Sequence, residues 1–341
     1  LAREDGLISS KSPGLTGSLM AELGFSDTTQ RIRDIVDWPP AQKDTGWKLA
    51  TPEGERDGYE MAEINTVVNS FHYHNLVLMS ELARKLGRED ESKWFSDRAL
   101  KVREAVNTKL FNHATGRYVD GEGSEHSSVH ANMFPLAFGL VPEENVKSVV
   151  QFVKSRGMAC SVYGAQFLLE GLYEAGEAEY AFSLLTSTTD RSWYNMINAG
   201  STITLEAWDI KYKPNLDWNH AWGAAPANII VRNMWGIKPL APGFEKAVIK
   251  PQMAGLKYSE ITAPTIKGPV HGRYIKSKKG TETYFFSIPD GISETLLSLP
   301  PGYDKVMING DRQGAGTPEM RLQPGDYIIE LVKTNRPREG L

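Results

Sequence analysis

The sequence has 341 residues, of which 40% are hydrophobic and 23% charged; this composition excludes extended disorder and predicts about two globular domains. The net charge of −4 excludes the overall basic excess of most nucleic-acid-binding proteins, and no run approaches the roughly 18 apolar residues of a membrane span. The single cysteine, Cys160, excludes an intrachain disulfide and a cysteine-rich zinc site.

In the first two thirds of the chain, apolar residues recur with the spacing of α-helices. Residues 1–60 are rich in turns and contain one short predicted helix, at 18–23. Apolar residues then recur at helical spacing over 61–87 and 90–110, and the short connection between them predicts an antiparallel helical hairpin. The same reasoning predicts further helices at 131–139, 143–156, 162–175, 177–187 and 220–235. Residues 1–236 are therefore predicted to form a domain of helical hairpins joined by long loops.

The period changes after Trp235-Gly236, where short β-like runs alternate with turns of the Asn-Gly and Pro-Gly type. The predicted strands lie at 248–250, 259–263, 272–276, 282–288, 294–299, 305–308 and 327–332. About seven short strands in roughly 100 residues are typical of a β-sandwich. The sequence therefore predicts a second domain over residues 237–335.

Several tryptophans stand beside carboxylates, in the pairs Asp37-Trp38, Trp208-Asp209 and Asp217-Trp218. A flat ring next to a carboxylate suits sugar recognition, because the ring packs on the C–H face of a pyranose while the carboxylate binds hydroxyl groups. The same rings could equally belong to the core. We expect one of Trp208 and Trp218, and not both, to contact a substrate.

Five segments, taken in order, resemble the α-L-rhamnosidases of glycoside hydrolase family 78. Residues 200–209 read Gly-Ser-Thr-Ile-Thr-Leu-Glu-Ala-Trp-Asp and resemble the segment that carries the catalytic base of that family. Asn219-His220 resembles a helix start of the family, and Val36-Asp37-Trp38 resembles a loop that lines its sugar pocket. The helical hairpin with its following Gly-Arg-Tyr turn, and the link at 239–251, are similar as well.

The resemblance implies an (α/α)6-barrel-type domain, possibly incomplete, followed by a C-terminal antiparallel β-sandwich. It also implies inverting hydrolysis that removes terminal α-L-rhamnose from plant or bacterial glycans, with Glu206 as the general base. Asp37 would bind sugar hydroxyls, Trp38 would form an apolar wall, and His220 would donate a hydrogen bond near the base or the sugar. Trp208 is included among the substrate-binding residues. The implied partner is a carbohydrate, with no cofactor and no metal.

The match departs from the family pattern at its N-terminal end. The family's general-acid motif does not appear in residues 1–36, and the predicted helices are fewer than twelve. We therefore expect part of the barrel to be missing and the chain to be a piece of a longer enzyme, or one from which a leader has been removed. Enzymes of this type are often exported from bacteria, so a periplasmic or extracellular location is expected.

The acid-rich loop over residues 53–60 is the one in-chain candidate for the missing acid function. Arg56 could hold sugar hydroxyls or orient Asp57. Carboxylates that lie close together raise the pKa of one member of the group, and an acid donor needs such a raised pKa. We interpret the loop as pocket-lining, with the role of acid donor as the alternative.

Each site residue also has an ordinary structural alternative. Glu206 could be a solvated loop carboxylate, Asp37 a turn or capping residue, and His220 a packed core histidine. His126 and His130 stand four residues apart, where the resemblance implies pocket-facing polar residues, and a metal site at this pair is the alternative. The whole chain could be a catalytically incomplete carbohydrate-binding fragment. A different (α/α)-barrel enzyme, such as a polysaccharide lyase, is the third hypothesis, and a pocket dominated by Arg and Lys would favour it.

Overall fold

A computed structural model describes residues 1–29, 32–42, 48, 52, 54–313 and 319–333. The chain forms two compact units, one of Leu1–Gly176 with Ser183–Ala225 and the other of Glu177–Phe182 with Pro226–Leu341. Helices dominate the first part of the chain and strands the second, which confirms the predicted fold class. The domain boundary at residue 236 stays a prediction.

Most of the helices agree with the predicted periodicity, whereas the helix at Trp193–Asn198 was not predicted. They are α1 (Gly17–Glu22), α2 (Thr66–Lys85), α3 (Glu89–Lys109), α4 (Val129–Ala137), α5 (Glu143–Arg156), α6 (Gly164–Glu174), α7 (Ala178–Leu185), α8 (Trp193–Asn198) and α9 (Ala225–Ile229). The predicted helix at 220–235 is helical over residues 221–234, but its type changes along the segment. A 3-10 turn at Ala221–Ala224 precedes α9, and Pro226, which offers no amide hydrogen, cannot bond back to this turn. A π turn at Ile230–Met234 follows α9.

The α2–α3 hairpin shows how local chemistry sets the helix ends. The Asn65 side chain accepts a hydrogen bond from the Val68 amide at 2.8 Å and so caps α2. The helix ends at Leu86-Gly87, where Gly87 adopts a φ of 72°. Ser80 and Ser92 then join the two helices, because each hydroxyl donates to the other residue's main-chain carbonyl at 2.9 Å.

An aromatic cluster packs α2, α4 and α6 together. The ring of Phe71 lies 4.9 Å from Phe134, 5.0 Å from Phe138 and 5.5 Å from Phe167, measured between centroids. Helix α4 is buried along almost its whole length. Apolar burial of this kind stabilises the helical unit and fixes the position of the polar side chains that α4 carries.

Strands occur in both units. In the helical unit β1 (Phe111–Asn112) and β2 (Arg117–Tyr118) form a small hairpin. The second unit contains β3 (Ile237–Pro239), β4 (Lys246–Ile249), β5 (Tyr258–Ala263), β6 (Val270–Lys276), β7 (Glu282–Ile288), β8 (Glu294–Ser298), β9 (Lys305–Ile308), β10 (Asp311–Arg312), β11 (Glu319–Leu322) and β12 (Gly325–Val332).

Two sheets arise from the strands of the second unit, in the orders β10-β9-β12-β7-β6-β5 and β11-β8-β4-β3. Side chains alternate between buried and half-buried along β7, as its period-two pattern predicts. The pairing of β4 with β8 is parallel, so the predicted all-antiparallel arrangement is corrected to a mostly antiparallel one. None of the described helices is both long and apolar enough to cross a bilayer.

Candidate active site

The carboxylate of Glu206 is held by three donors. The indole Nε1 of Trp38 donates to Oε1 at 2.8 Å. The amide of Asp217 donates to Oε2 at 2.9 Å, and Nζ of Lys213 lies 2.8 Å from the same oxygen. Glu206 and Lys213 are both buried, so this ion pair is little screened by solvent. These three contacts hold the Glu206 carboxylate in one orientation.

These donors also decide the ionisation of Glu206. Burial by itself raises the pKa of this carboxyl, but the hydrogen bond and charge of Lys213, the Asp217 amide and the Trp38 indole together outweigh it. The net effect lowers the pKa of Glu206 below its usual value. Glu206 is therefore ionised at neutral pH and has the protonation state of a general base.

The segment that carries Glu206 is fixed through its main chain. The amide of Glu206 donates to the Asp217 carbonyl at 3.0 Å, and the indole of Trp222 donates to the Glu206 carbonyl at 3.0 Å. The ring of His220 stacks on Trp222 with 4.1 Å between centroids. Its Nδ1 is buried and has no hydrogen-bond partner among the described residues. The structure thus places His220 against Trp222, which binds the Glu206 main chain, and the hydrogen bond that the resemblance implies for His220 stays a prediction.

Asp37 anchors the other side of the site. Its Oδ2 accepts hydrogen bonds from Nε2 of His130 at 2.6 Å and from the Ser161 amide at 2.8 Å. Its Oδ1 accepts from the Ser161 hydroxyl and, at 2.9 Å, from the amide of Trp38. Because both oxygens are occupied within the chain, Asp37 serves here to fix Trp38. This geometry does not support the predicted contact of Asp37 with a sugar hydroxyl.

The acid-rich loop divides into a pocket part and a structural part. Arg56 lines a cavity and donates to the Tyr59 carbonyl at 3.2 Å. Asp57 instead accepts from the amide of Val129, the first residue of α4, at 2.7 Å and pairs with Arg156. Asp57 therefore binds the first amide of α4, whose N-cap is Ser128, and this placement does not support its predicted substrate contact. Glu53 lies outside the described residues.

Trp208 is a core residue. Its ring has no exposed surface, its Nε1 donates to the Cys160 carbonyl at 2.7 Å, and its edge meets Trp193. A fully buried ring offers no face to a ligand, so this packing does not support the predicted substrate contact of Trp208. Trp218, the alternative, is 47% exposed.

Three residues that the sequence analysis did not single out support this arrangement. They are Lys213, which pairs with Glu206, Ser161, which holds Asp37, and Glu55, whose Oε1 accepts from the Trp208 amide at 2.9 Å. Lys213 and Ser161 stand in no recognisable motif. Glu55 belongs to the acid-rich loop, and the acidic composition of that loop was the one feature of the sequence that pointed to Glu55.

A cavity of about 740 Å³ opens beside Trp38. Its lining includes Asp34, Ile35, Trp38, Arg56 and Met61, and its volume suits a sugar ring.

The two histidines of the His126–His130 pair bind different carboxylates, Asp120 and Asp37, each at 2.6 Å. Across the described ranges no group of three or more His, Cys, Asp or Glu residues is placed to hold a metal ion.

Comparison with known proteins points to one family. Residues 23–234 match the model of the bacterial α-L-rhamnosidase six-hairpin glycosidase domain, and residues 236–313 match that of the bacterial α-L-rhamnosidase C-terminal domain. An α-L-rhamnosidase of Alteromonas sp. (strain LOR) is 23% identical over 305 residues, which cover 84% of this chain and 32% of that protein. One from Formosa agariphila is 26% identical, over 83% of this chain and 32% of that protein. The chain thus spans about a third of these relatives.

Solved structures show the same fold. An α-L-rhamnosidase from Dictyoglumus thermophilum aligns with a TM-score of 0.67 at 23% identity, over 77% of this chain and 31% of that one. The Streptomyces avermitilis α-L-rhamnosidase, solved in complex with L-rhamnose, also gives a TM-score of 0.67, at 21% identity, over 83% of this chain and 28% of that one.

Substitution of Lys213 tests the electrostatics of the site. Lys213→Met leaves Glu206 buried without its cation, and breaking a buried pair in this way lowers the free energy of unfolding by about 3–5 kcal/mol at pH 7. The pKa of Glu206 rises in the variant, so the loss shrinks as the pH falls and the carboxyl takes up a proton.

Urea unfolding of the purified chain at pH 4 and pH 7 measures both effects. Lys211→Met is the matched control, because Lys211 pairs with Asp190 on the surface and its loss changes stability by less than about 1 kcal/mol. Equal losses for the two variants, or a Lys213→Met loss that does not depend on pH, would contradict the assignment.

Proposed function

The chain belongs to the bacterial α-L-rhamnosidase family, and from that premise we propose that it removes terminal α-L-rhamnose by inverting hydrolysis, with Glu206 as the general base. The observation that carries the proposal is the ionised carboxylate of Glu206, held by Trp38, Lys213 and the Asp217 amide. The Trp38 side chain that fixes this carboxylate also lines the cavity.

The chemistry requires an ionised carboxylate on the face opposite the leaving group. A water attacks the anomeric carbon while Glu206 takes a proton from it, and the bond to the leaving oxygen breaks. That oxygen receives a proton from a general acid, so the products are a free sugar of inverted configuration and the alcohol. The lowered pKa of Glu206 supports the role of base, because a carboxyl that is already protonated could not accept the proton of the water.

The cavity lining favours a neutral sugar over the uronates of polysaccharide lyases. Cations and anions balance around it, with Lys11, Arg33 and Arg56 against Asp34, Asp37 and Glu63. A lyase site would show an excess of cations to neutralise a uronate. The apolar surfaces of Ile35, Trp38 and Met61 suit the methyl group and C–H face of a 6-deoxy sugar.

Loss of the base is the first functional test. Glu206→Gln keeps the shape of the side chain but cannot accept a proton, so we expect kcat on p-nitrophenyl α-L-rhamnopyranoside to fall by about 100- to 10,000-fold. Release of p-nitrophenol by the purified chain measures it. The exposed Glu104 supplies the control variant Glu104→Gln, which should retain full activity. Glu206→Gln activity within tenfold of the unmodified chain would contradict the proposal.

The indole of Trp38 gives an independent test of the same base. Trp38→Phe keeps an aromatic wall but removes the donor to Oε1, and a hydrogen bond to a charged group contributes about 1.5–3 kcal/mol. We expect kcat to fall by about 10- to 100-fold and the acid limb of the pH profile to move to higher pH, because the pKa of Glu206 rises.

Trp94→Phe changes a tryptophan that is 52% exposed on α3 and serves as the control for this variant. An unmoved acid limb in Trp38→Phe would argue against Glu206 as the titrating base.

A further inference from the structure

We propose that Glu55 is a positioning residue whose protonated carboxyl connects the Glu206 segment to the Trp38 segment and makes the assembly of the site sensitive to rising pH. The functional importance of this contact rests on the proposed role of Glu206 as the base. The experiments below measure stability and the position of Trp38, and neither depends on catalytic turnover.

Glu55 touches both segments of the site. Its Oε1 accepts a hydrogen bond at 2.9 Å from the amide of Trp208, two residues after Glu206. On the other side, its own amide donates to the carbonyl of Pro39, the residue after Trp38, at 3.5 Å. The preceding Gly54 lies so close that a Cβ there would be 2.7 Å from the same carbonyl. One turn therefore connects the segments that carry the two partners of the Trp38–Glu206 hydrogen bond.

The carboxyl of Glu55 has the surroundings of a neutral acid. Glu55 is fully buried, and its Oε2 has no hydrogen-bond partner among the described residues. An ionised carboxylate with one bare buried oxygen costs far more than a neutral carboxylic acid, which leaves a single O–H donor unpaired once its carbonyl oxygen is satisfied. The Trp208 amide satisfies that oxygen.

The charged and titratable groups that face Glu55 are Arg191, Asp37, Asp209 and Cys160. Arg191 does not hydrogen-bond the Glu55 carboxyl; its described contacts go to the Tyr212 hydroxyl and to the carbonyls of Glu55 and Met158. Burial raises the pKa of Glu55 well above its usual value, the Trp208 amide and Arg191 partly oppose this, and Asp37 and Asp209 add to it.

The sign of the resulting pH dependence follows from proton linkage. Unfolded Glu55 loses its proton near pH 4.3, while folded Glu55 keeps it to higher pH. Above that pH the unfolded state binds fewer protons than the folded state, so stability falls as the pH rises until the folded carboxyl ionises. Once ionised, Glu55 is a buried charge repelled by Asp37 and Asp209, so the folded arrangement of the two segments is destabilised although the Trp208 amide still binds the carboxylate.

The first experiment measures Tm at pH 5 and pH 8 for the full chain, Glu55→Gln and the surface control Glu104→Gln. Glutamine keeps the acceptor for the Trp208 amide and cannot ionise. We expect Glu55→Gln to exceed the unmodified chain by at least about 2 °C at pH 8 and by a clearly smaller margin at pH 5. Glu104→Gln should follow the unmodified chain at both. A Glu55→Gln curve parallel to that of the unmodified chain would overturn the proposal.

The second experiment reads the position of Trp38 by its fluorescence. The difference between each protein and its Trp38→Phe counterpart isolates the emission of that ring. In Glu55→Leu, which removes the acceptor, we expect the Trp38 emission to shift to longer wavelength as water reaches the ring, and in Glu55→Gln we expect no shift.

An unshifted Trp38 emission in a folded Glu55→Leu variant would also overturn the proposal. If Glu55→Leu does not fold, the Tm comparison with Glu55→Gln decides by itself. Neither readout requires rhamnoside hydrolysis, so a failure of the proposed function appears separately, as an unmodified chain that leaves p-nitrophenyl α-L-rhamnopyranoside intact.

Discussion

One buried carboxylate, that of Glu206, holds the candidate site together. Removing a charged carboxylate from water is costly, and three donors from the chain offset that cost. One of them, Trp38, stands 168 residues away in the sequence, so the hydrogen bond ties an N-terminal loop to a segment near the end of the helical unit. The same three donors keep the carboxylate ionised, so one set of contacts fixes both the position and the protonation state of Glu206.

The position of Trp38 depends in turn on the helical core. Asp37 fixes its main chain, and Asp37 is fixed by His130 on α4 and by Ser161 just before α6. The cluster of phenylalanine rings packs α4 and α6 together with α2, so apolar burial sets where those polar groups stand. The site is therefore built on rigid helices, although its principal residues lie on loops.

The spacing of hydrophobic residues predicted most helices and strands, but it did not predict which of them pair or which side chains meet in the site. The bounds of α5 and of β7 agree with the prediction because each pattern records one buried face. The parallel β4–β8 pairing has no such local signature. The meeting of Glu206 with Trp38 came only from the family resemblance, and Lys213 lacked any motif. Trp208 and Trp218 each stand beside an aspartate, so sequence could not tell the buried ring from the exposed one.

The stereochemistry of the first turnovers shows whether Glu206 acts as the base of an inverting reaction. α-L-Rhamnosyl fluoride loses fluoride without a proton donor, so its hydrolysis depends on the base and not on the acid. Proton NMR during the first turnovers identifies the anomer that forms before mutarotation. We expect β-L-rhamnose as the first product, and we expect Glu206→Gln to form none of it. First formation of α-L-rhamnose, or an unchanged rate in Glu206→Gln, would contradict this role of Glu206.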